Sequence, residues 1–135
     1  MDIGDKRIGV AVSDPDEILA SPLTTIKSRS ETETMRAILD IIRTYEIERI
    51  VVGLPYSMNG TIGTQAEKTL AFKEKLSQLT SVEIDTEDER FSTVAANRLM
   101  IDAGAKRNKR KSQIDAAAAT YILQGYLDSH KSSQQ

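Results

Sequence analysis

At 135 residues the chain is long enough to bury a hydrophobic core unaided, and it reads as one domain over residues 1–135. It has no cysteine and a single histidine, His130. That excludes disulfides and thiolate sites and argues against a histidine-rich metal site or a Ser-His-Asp triad, so any metal would be held by oxygen, which favours Mg²⁺ or Mn²⁺ over Zn²⁺. A net charge of −2 carries no global basic signature, yet five of the six residues in the stretch 106–111, KRNKRK, are basic. No apolar run reaches membrane-spanning length and no signal peptide is visible, so a cytoplasmic location is expected.

The chain opens MDIGDKRIGVAVSD. Ile8 to Ser13 alternates and follows a Gly4-Asp5 turn signal, so it is expected to pair with Asp2-Ile3 as a hairpin. Asp14-Pro15-Asp16 marks a second turn, and Leu23 to Lys27 reads as a third, shorter strand after Pro22. Ser30 and Glu33 form a capping box. Beyond it Met35, Ile38, Leu39, Ile42 and Tyr45 keep the 3.6-residue period of an amphipathic helix. Arg49 to Leu54 is a short continuous apolar run, as in a strand buried on both faces. Pro55 to Gly63 is a loop. Thr64 and Glu67 suggest a second capping box, opening a helix to about Leu79. Val82 to Glu87 alternates as a strand. Ser92 to about Ala103 reads as a third helix, the basic stretch as a linker, and Ser112 as the cap of a final helix from Gln113 to about Asp128. Residues 129–135 have the composition of a frayed tail.

Three strands with short connections make an antiparallel meander. The later strands, reached through helices, must join in parallel by right-handed crossovers. The expected fold class is therefore α/β, with a mixed five-stranded sheet flanked by helices.

Four blocks now allow a comparison: DIGDKRIGVAVSD (2–14), VVGLPYSMNGT (51–61), DERFSTVAA (88–96) and IDAAAATYILQGYLD (114–128). Together, and in this order, they closely resemble the YqgF/RuvX family of ribonuclease H-like proteins. The family is described as Holliday junction resolvases and as nucleases that process the 5′ end of pre-16S ribosomal RNA. The resemblance implies a ribonuclease H-like fold and a divalent-metal nuclease. Its carboxylates would come from the first strand, the DER block and the last helix, here Asp2, Asp88 or Glu89, and Asp115. Asp2, Glu89 and Asp115 would hold the metal. Family members usually carry several more residues before the first aspartate. Here only Met1 precedes it, so the expectation is a start further upstream or a shortened first strand.

Phosphodiester hydrolysis with divalent ions needs several hard anionic oxygens converging from rigid elements. The run of four alanines after Asp115 would let the last helix lie close to the sheet and bring Asp115 towards Asp2. Lys106, Arg107, Lys109, Arg110 and Lys111 would grip flanking phosphates, joined by Lys6 and Arg7, with Asn59, Thr61 and Arg90 as further phosphate contacts. Each feature also has a plainer reading. Asp2 could be a turn residue, Asp115 a helix-capping partner of Ser112, Asp88-Glu89-Arg90 a solvated corner, and the basic run a solvated linker. Two other functions stay in view. One is a non-catalytic nucleic-acid-binding module on the same fold. The other is an ATP-binding protein of the actin and sugar-kinase type, which shares an Asp-x-Gly opening but needs a second Gly-rich loop that this chain lacks. Structured RNA or branched DNA is the expected partner, with no membrane, and the chain could act as a monomer or a homodimer.

Overall fold

In the computed structural model, residues 1–27, 30–56, 60, 62–89 and 107–133 are described, with side chains for all but 107–115 and 131–133. The order is β1 (Asp2–Ile3), β2 (Arg7–Ser13), β3 (Ala20–Lys27), α1 (Glu31–Thr44), β4 (Arg49–Leu54), α2 (Thr64–Ser77), β5 (Glu83–Asp88) and α3 (Arg107–Ser133). The helix expected over 92–103 lies outside the described residues.

Strands β1, β2 and β3 form an antiparallel meander, with Asp2 opposite Gly9 and Ile3 opposite Ile8. Strands β4 and β5 pair in parallel from Arg49–Glu83 to Leu54–Asp88. Met1 joins the two parts: its amine donates to Val51 O at 2.5 Å, and Gly53 N donates to Met1 O at 3.0 Å. The mixed sheet thus runs β3-β2-β1-β4-β5, three antiparallel strands followed by two parallel ones, as expected. The hairpin between β1 and β2 closes tightly. Gly4 N donates to Arg7 O, and a Cβ on Gly4 would stand 2.9 Å from that same oxygen, which explains a glycine at this turn.

Layers follow from alternation along β4. Ile50 and Val52 pack with Ile8, Val10, Met35, Ile38 and Leu76, so α1 and α2 cover one face. Val51 packs with Ala118, Ile122 and Tyr126, so α3 covers the other. Ser30 accepts from Glu33 N at 3.1 Å and caps α1, as its pattern predicts.

Helix α3 holds both flanks of its face. On one side the Gln124 amide accepts from Ala20 N and donates to Ile18 O, both at 2.9 Å. On the other, Tyr126 meets Arg49 and Asp85. Alanines at 116, 118 and 119, earlier in the helix, are buried, and they let it lie close to the strands.

Several local expectations are corrected. The basic stretch is no linker from residue 107 onward, because α3 begins at Arg107. Lys and Arg are good helix formers, and no Gly or Pro interrupts the chain between Arg107 and Gln124. Ser112 is therefore helix interior rather than a cap, and Asp115 sits in the third turn rather than the first. The helix also continues to Ser133, through most of the expected frayed tail. Gly63, not Thr64, is the N-cap of α2, and no side chain caps it. Strand β3 starts three residues early and contains Pro22, which is tolerated at this sheet edge next to the irregularity at Val10/Ala11.

If close packing of α3 sets its height above the sheet, Ala118→Leu overfills the gap and destabilises the protein by about 1–3 kcal/mol. Urea unfolding with an unchanged slope is the check, and a loss below about 0.5 kcal/mol would contradict it.

Candidate functional site

Ile3 belongs to the α1–α2 core, so alternation directs its neighbour Asp2 to the face covered by α3. On the adjoining strand, Gly53 shares that face with Val51. Glu89 follows β5 directly, and its N–H donates to Leu54 O at 3.2 Å, which extends the parallel pairing by one step. The Glu89 side chain turns inward over β4. Its Oε1 is shielded from solvent and lies 2.7 Å from where a Cβ on Gly53 would stand. The Met1 amine is buried beside both strands. Burial pushes it down from 8.0 to about 6, against the opposing pull of the Asp2 and Glu89 carboxylates. Asp2 follows Met1, which is bonded to Val51 and Gly53, and Glu89 folds over Gly53, so both lie on one face beside the junction of β1 with β4.

Asp88 closes the β5 ladder opposite Leu54. Its charge helps raise the Glu87 carboxyl, although burial is the main cause and His130 opposes it. Helix α3 runs from the carboxyl end of β4 towards its amino end, since Ile122 lies by Gly53 and Tyr126 by Arg49. Residue 115 stands seven positions before Ile122, about 10 Å along the axis, and so towards the carboxyl end of β4, where Glu89 lies. Position 115 also shares a helical stripe with 118, 122 and 126, which pack on the sheet. Arg107, Lys109, Arg110 and Lys111 occupy the opening turns of this helix, whose first turn holds no acidic residue.

Lys6 is exposed in the β1–β2 turn, and Arg7 begins β2 opposite Lys27. Asn59, Thr61, Arg90 and Lys106 lie outside the described residues. Among the residues whose side chains are described, no three His, Cys, Asp or Glu side chains form a metal-binding group. Asp2 and Glu89 are nonetheless hard oxygen donors on adjacent rigid elements, the donor chemistry that Mg²⁺ or Mn²⁺ requires.

A polar cluster at the other end of α3 escaped the sequence reading. Tyr126 OH donates to Asp85 at 2.5 Å, and Arg49 donates to Asp85, Tyr126 and Glu83 at 2.9, 2.8 and 3.0 Å. The His130 ring stacks on Tyr126 with centroids 3.8 Å apart, so the only histidine is part of the helix rather than a loose tail. The signal was the acidic alternation Glu83, Asp85, Glu87 along β5, which looks like a solvent face until α3 is laid over it.

The chain matches the RuvX family, described as Holliday junction resolvase, over residues 1–129. It belongs to that family. A protein of Clostridium acetobutylicum named "Putative pre-16S rRNA nuclease" is 50% identical over 129 residues, covering 96% of each chain. One from Caldanaerobacter subterraneus subsp. tengcongensis, with the same name, is 47% identical over 134 residues, covering 98% of this chain and 96% of its own. No helix among the described residues is long and apolar enough to cross a membrane.

The Tyr126 hydrogen bond, helped by Arg49, holds the Asp85 carboxyl below its ordinary value. The interaction therefore contributes stability that is full above the unfolded-state value of about 4 and fades as pH falls through the lower folded-state value. Asp85→Asn should lower the melting temperature at pH 7 and flatten its decline below about pH 4. An acid limb as steep as in the unsubstituted protein would contradict this.

Proposed function

We propose that this protein is a divalent-metal-dependent endonuclease acting on structured nucleic acid, with the 5′ end of pre-16S ribosomal RNA as its substrate. What supports the reading is that Asp2 and Glu89 lie on one face beside the junction of β1 with β4, the face crossed by α3. Family membership supplies the chemistry, and the names of relatives about half identical to this chain supply the substrate class.

In this reading Asp2, Glu89 and Asp115 hold Mg²⁺ or Mn²⁺, and Asp88 lies beside them. When bound, the ion supplies Lewis-acid stabilisation of charge on the scissile phosphate. The rest falls to the chain itself. The carboxylates stand on strand ends and a long helix, so little reorganisation is needed as substrate binds. Histidine takes no part as general base, because His130 is stacked on Tyr126 at the far end of α3. Arg107, Lys109, Arg110 and Lys111 fall in the first described turns of α3, a run of positive charge suited to phosphate. With Lys106, Lys6, Arg7, Arg90, Asn59 and Thr61 they grip the backbone on either side of the cut, which confers affinity without base specificity. A second reading, a resolvase of four-way DNA junctions, is favoured by the description of the matching family. It requires a symmetric dimer, because two strands must be cut.

The test is cleavage of a labelled pre-16S leader and a four-way DNA junction side by side, with Mg²⁺ and with Mn²⁺. The leader should be cut, and Asp115→Asn should lower the rate by about 100-fold or more while leaving binding intact. Binding of both substrates without cleavage in either metal would replace the nuclease with a binding module. Replacing Lys109, Arg110 and Lys111 together by Gln should weaken binding of all sequences alike. It should also make the binding constant less salt-dependent, its logarithmic slope falling by about 0.7–0.9 for each phosphate no longer neutralised. An unchanged slope would remove these side chains from the interface.

A further inference from the structure

We propose that Gly53 is the positioning residue for the Glu89 carboxylate: the space left by its missing side chain is where that carboxylate folds. This rests on the reading of Glu89 as a metal ligand.

Gly53 lies inside a buried strand, where glycine weakens the strand and gives nothing to pack. Its backbone does not explain the choice, since Gly60 is the only glycine with positive φ among the described residues. Space does explain it. An ideal Cβ on Gly53 would stand 2.7 Å from Glu89 Oε1, 3.2 Å from Glu89 Cδ and 2.6 Å from Ile122 Cδ1. Real Cβ atoms essentially never approach within 3.0 Å, so a side chain here and the observed Glu89 placement exclude each other.

The way the collision would resolve is also fixed. Gly53 N is bonded to Met1 O and Glu89 N to Leu54 O, so both backbones are pinned. The two colliding groups are the far ends of flexible side chains. A methyl group at position 53 therefore leaves the strand in place, pushes the Ile122 tip aside and turns the Glu89 carboxylate out of the space over Gly53. The fold survives and the carboxylate set opens.

The two collisions can be separated. Ile122→Val removes Cδ1 and relieves the helix side alone, leaving the Glu89 collision intact. Mn²⁺ binding by titration calorimetry, thermal melting and cleavage would be measured on Gly53→Ala, Ile122→Val, the double variant and Glu89→Gln. Ile122→Val should bind Mn²⁺ as the unsubstituted protein does. Gly53→Ala should bind it about 10- to 100-fold more weakly, in the range seen for residues that orient metal ligands. The double variant should recover the melting temperature of Ile122→Val without recovering Mn²⁺ affinity. Affinity that returns together with melting temperature would overturn the proposal and make Gly53 a packing residue for α3 alone. So would Gly53→Ala binding Mn²⁺ normally while Glu89→Gln does not. If Glu89→Gln itself binds Mn²⁺ normally, the ligand role of Glu89 falls, and the positioning role of Gly53 falls with it.

Discussion

The structure depends on a few backbone hydrogen bonds around a very short strand. β1 is two residues long, yet it stands between the antiparallel meander and the parallel pair. Met1 carries the junction, donating to Val51 O and accepting from Gly53 N. Without those two bonds the sheet would separate into parts of three and two strands, and Asp2 would lose its fixed relation to Glu89. The same short segment supplies Ile3 to one core and Asp2 to the opposite face. The sheet junction and the candidate site thus share Met1, Asp2, Val51 and Gly53, with Glu89 one step beyond the β5 ladder.

Helix α3 completes the arrangement from above. Its alanines allow close approach, and its flanks are held by unlike devices. Gln124 reads the backbone of the β2–β3 connection with both ends of its amide, while Tyr126 enters the Arg49–Asp85 ion pair. An exposed ion pair alone contributes little. The tyrosine adds a directional hydrogen bond and a partly desolvated setting, which fix the rotation of the helix about its axis. That rotation decides where position 115 falls, because 115, 118, 122 and 126 lie on one stripe. The ends of the helix accordingly have different tasks. The carboxyl-terminal half anchors the helix on the sheet, and Arg107, Lys109, Arg110, Lys111 and Asp115 lie in its amino-terminal half.

Much of this was legible in the residues. The capping serine at 30, the strand Arg49 to Leu54, buried in all but its first residue, and the hairpin through Gly4 each express one local rule, and each holds. Local rules failed where two of them competed. Ser112 has the composition of a cap, but Lys and Arg before it propagate a helix at least as readily, and the helix passes through. Thr64 resembles a cap in the same way, yet the extended residue is Gly63. Long-range facts were harder to see. Nothing near Gly53 in the chain announces that Glu89, 36 residues later, needs its space. The β5 carboxylates alternate as a solvent face would, and only the packing of α3 turns Asp85 into a structural residue. The membership of Asp2, Glu89 and Asp115 in one site came from family resemblance, not from any periodicity.

In the function proposed, Asp2, Glu89 and Asp115 form one divalent-metal site at the carboxyl end of the central strands. Anomalous diffraction from crystals soaked in Mn²⁺ tests it most directly. Anomalous density ligated by all three carboxylates is expected, lost in Asp115→Asn crystals. Density elsewhere on the molecule, or none in a protein that still cuts its substrate, would contradict it.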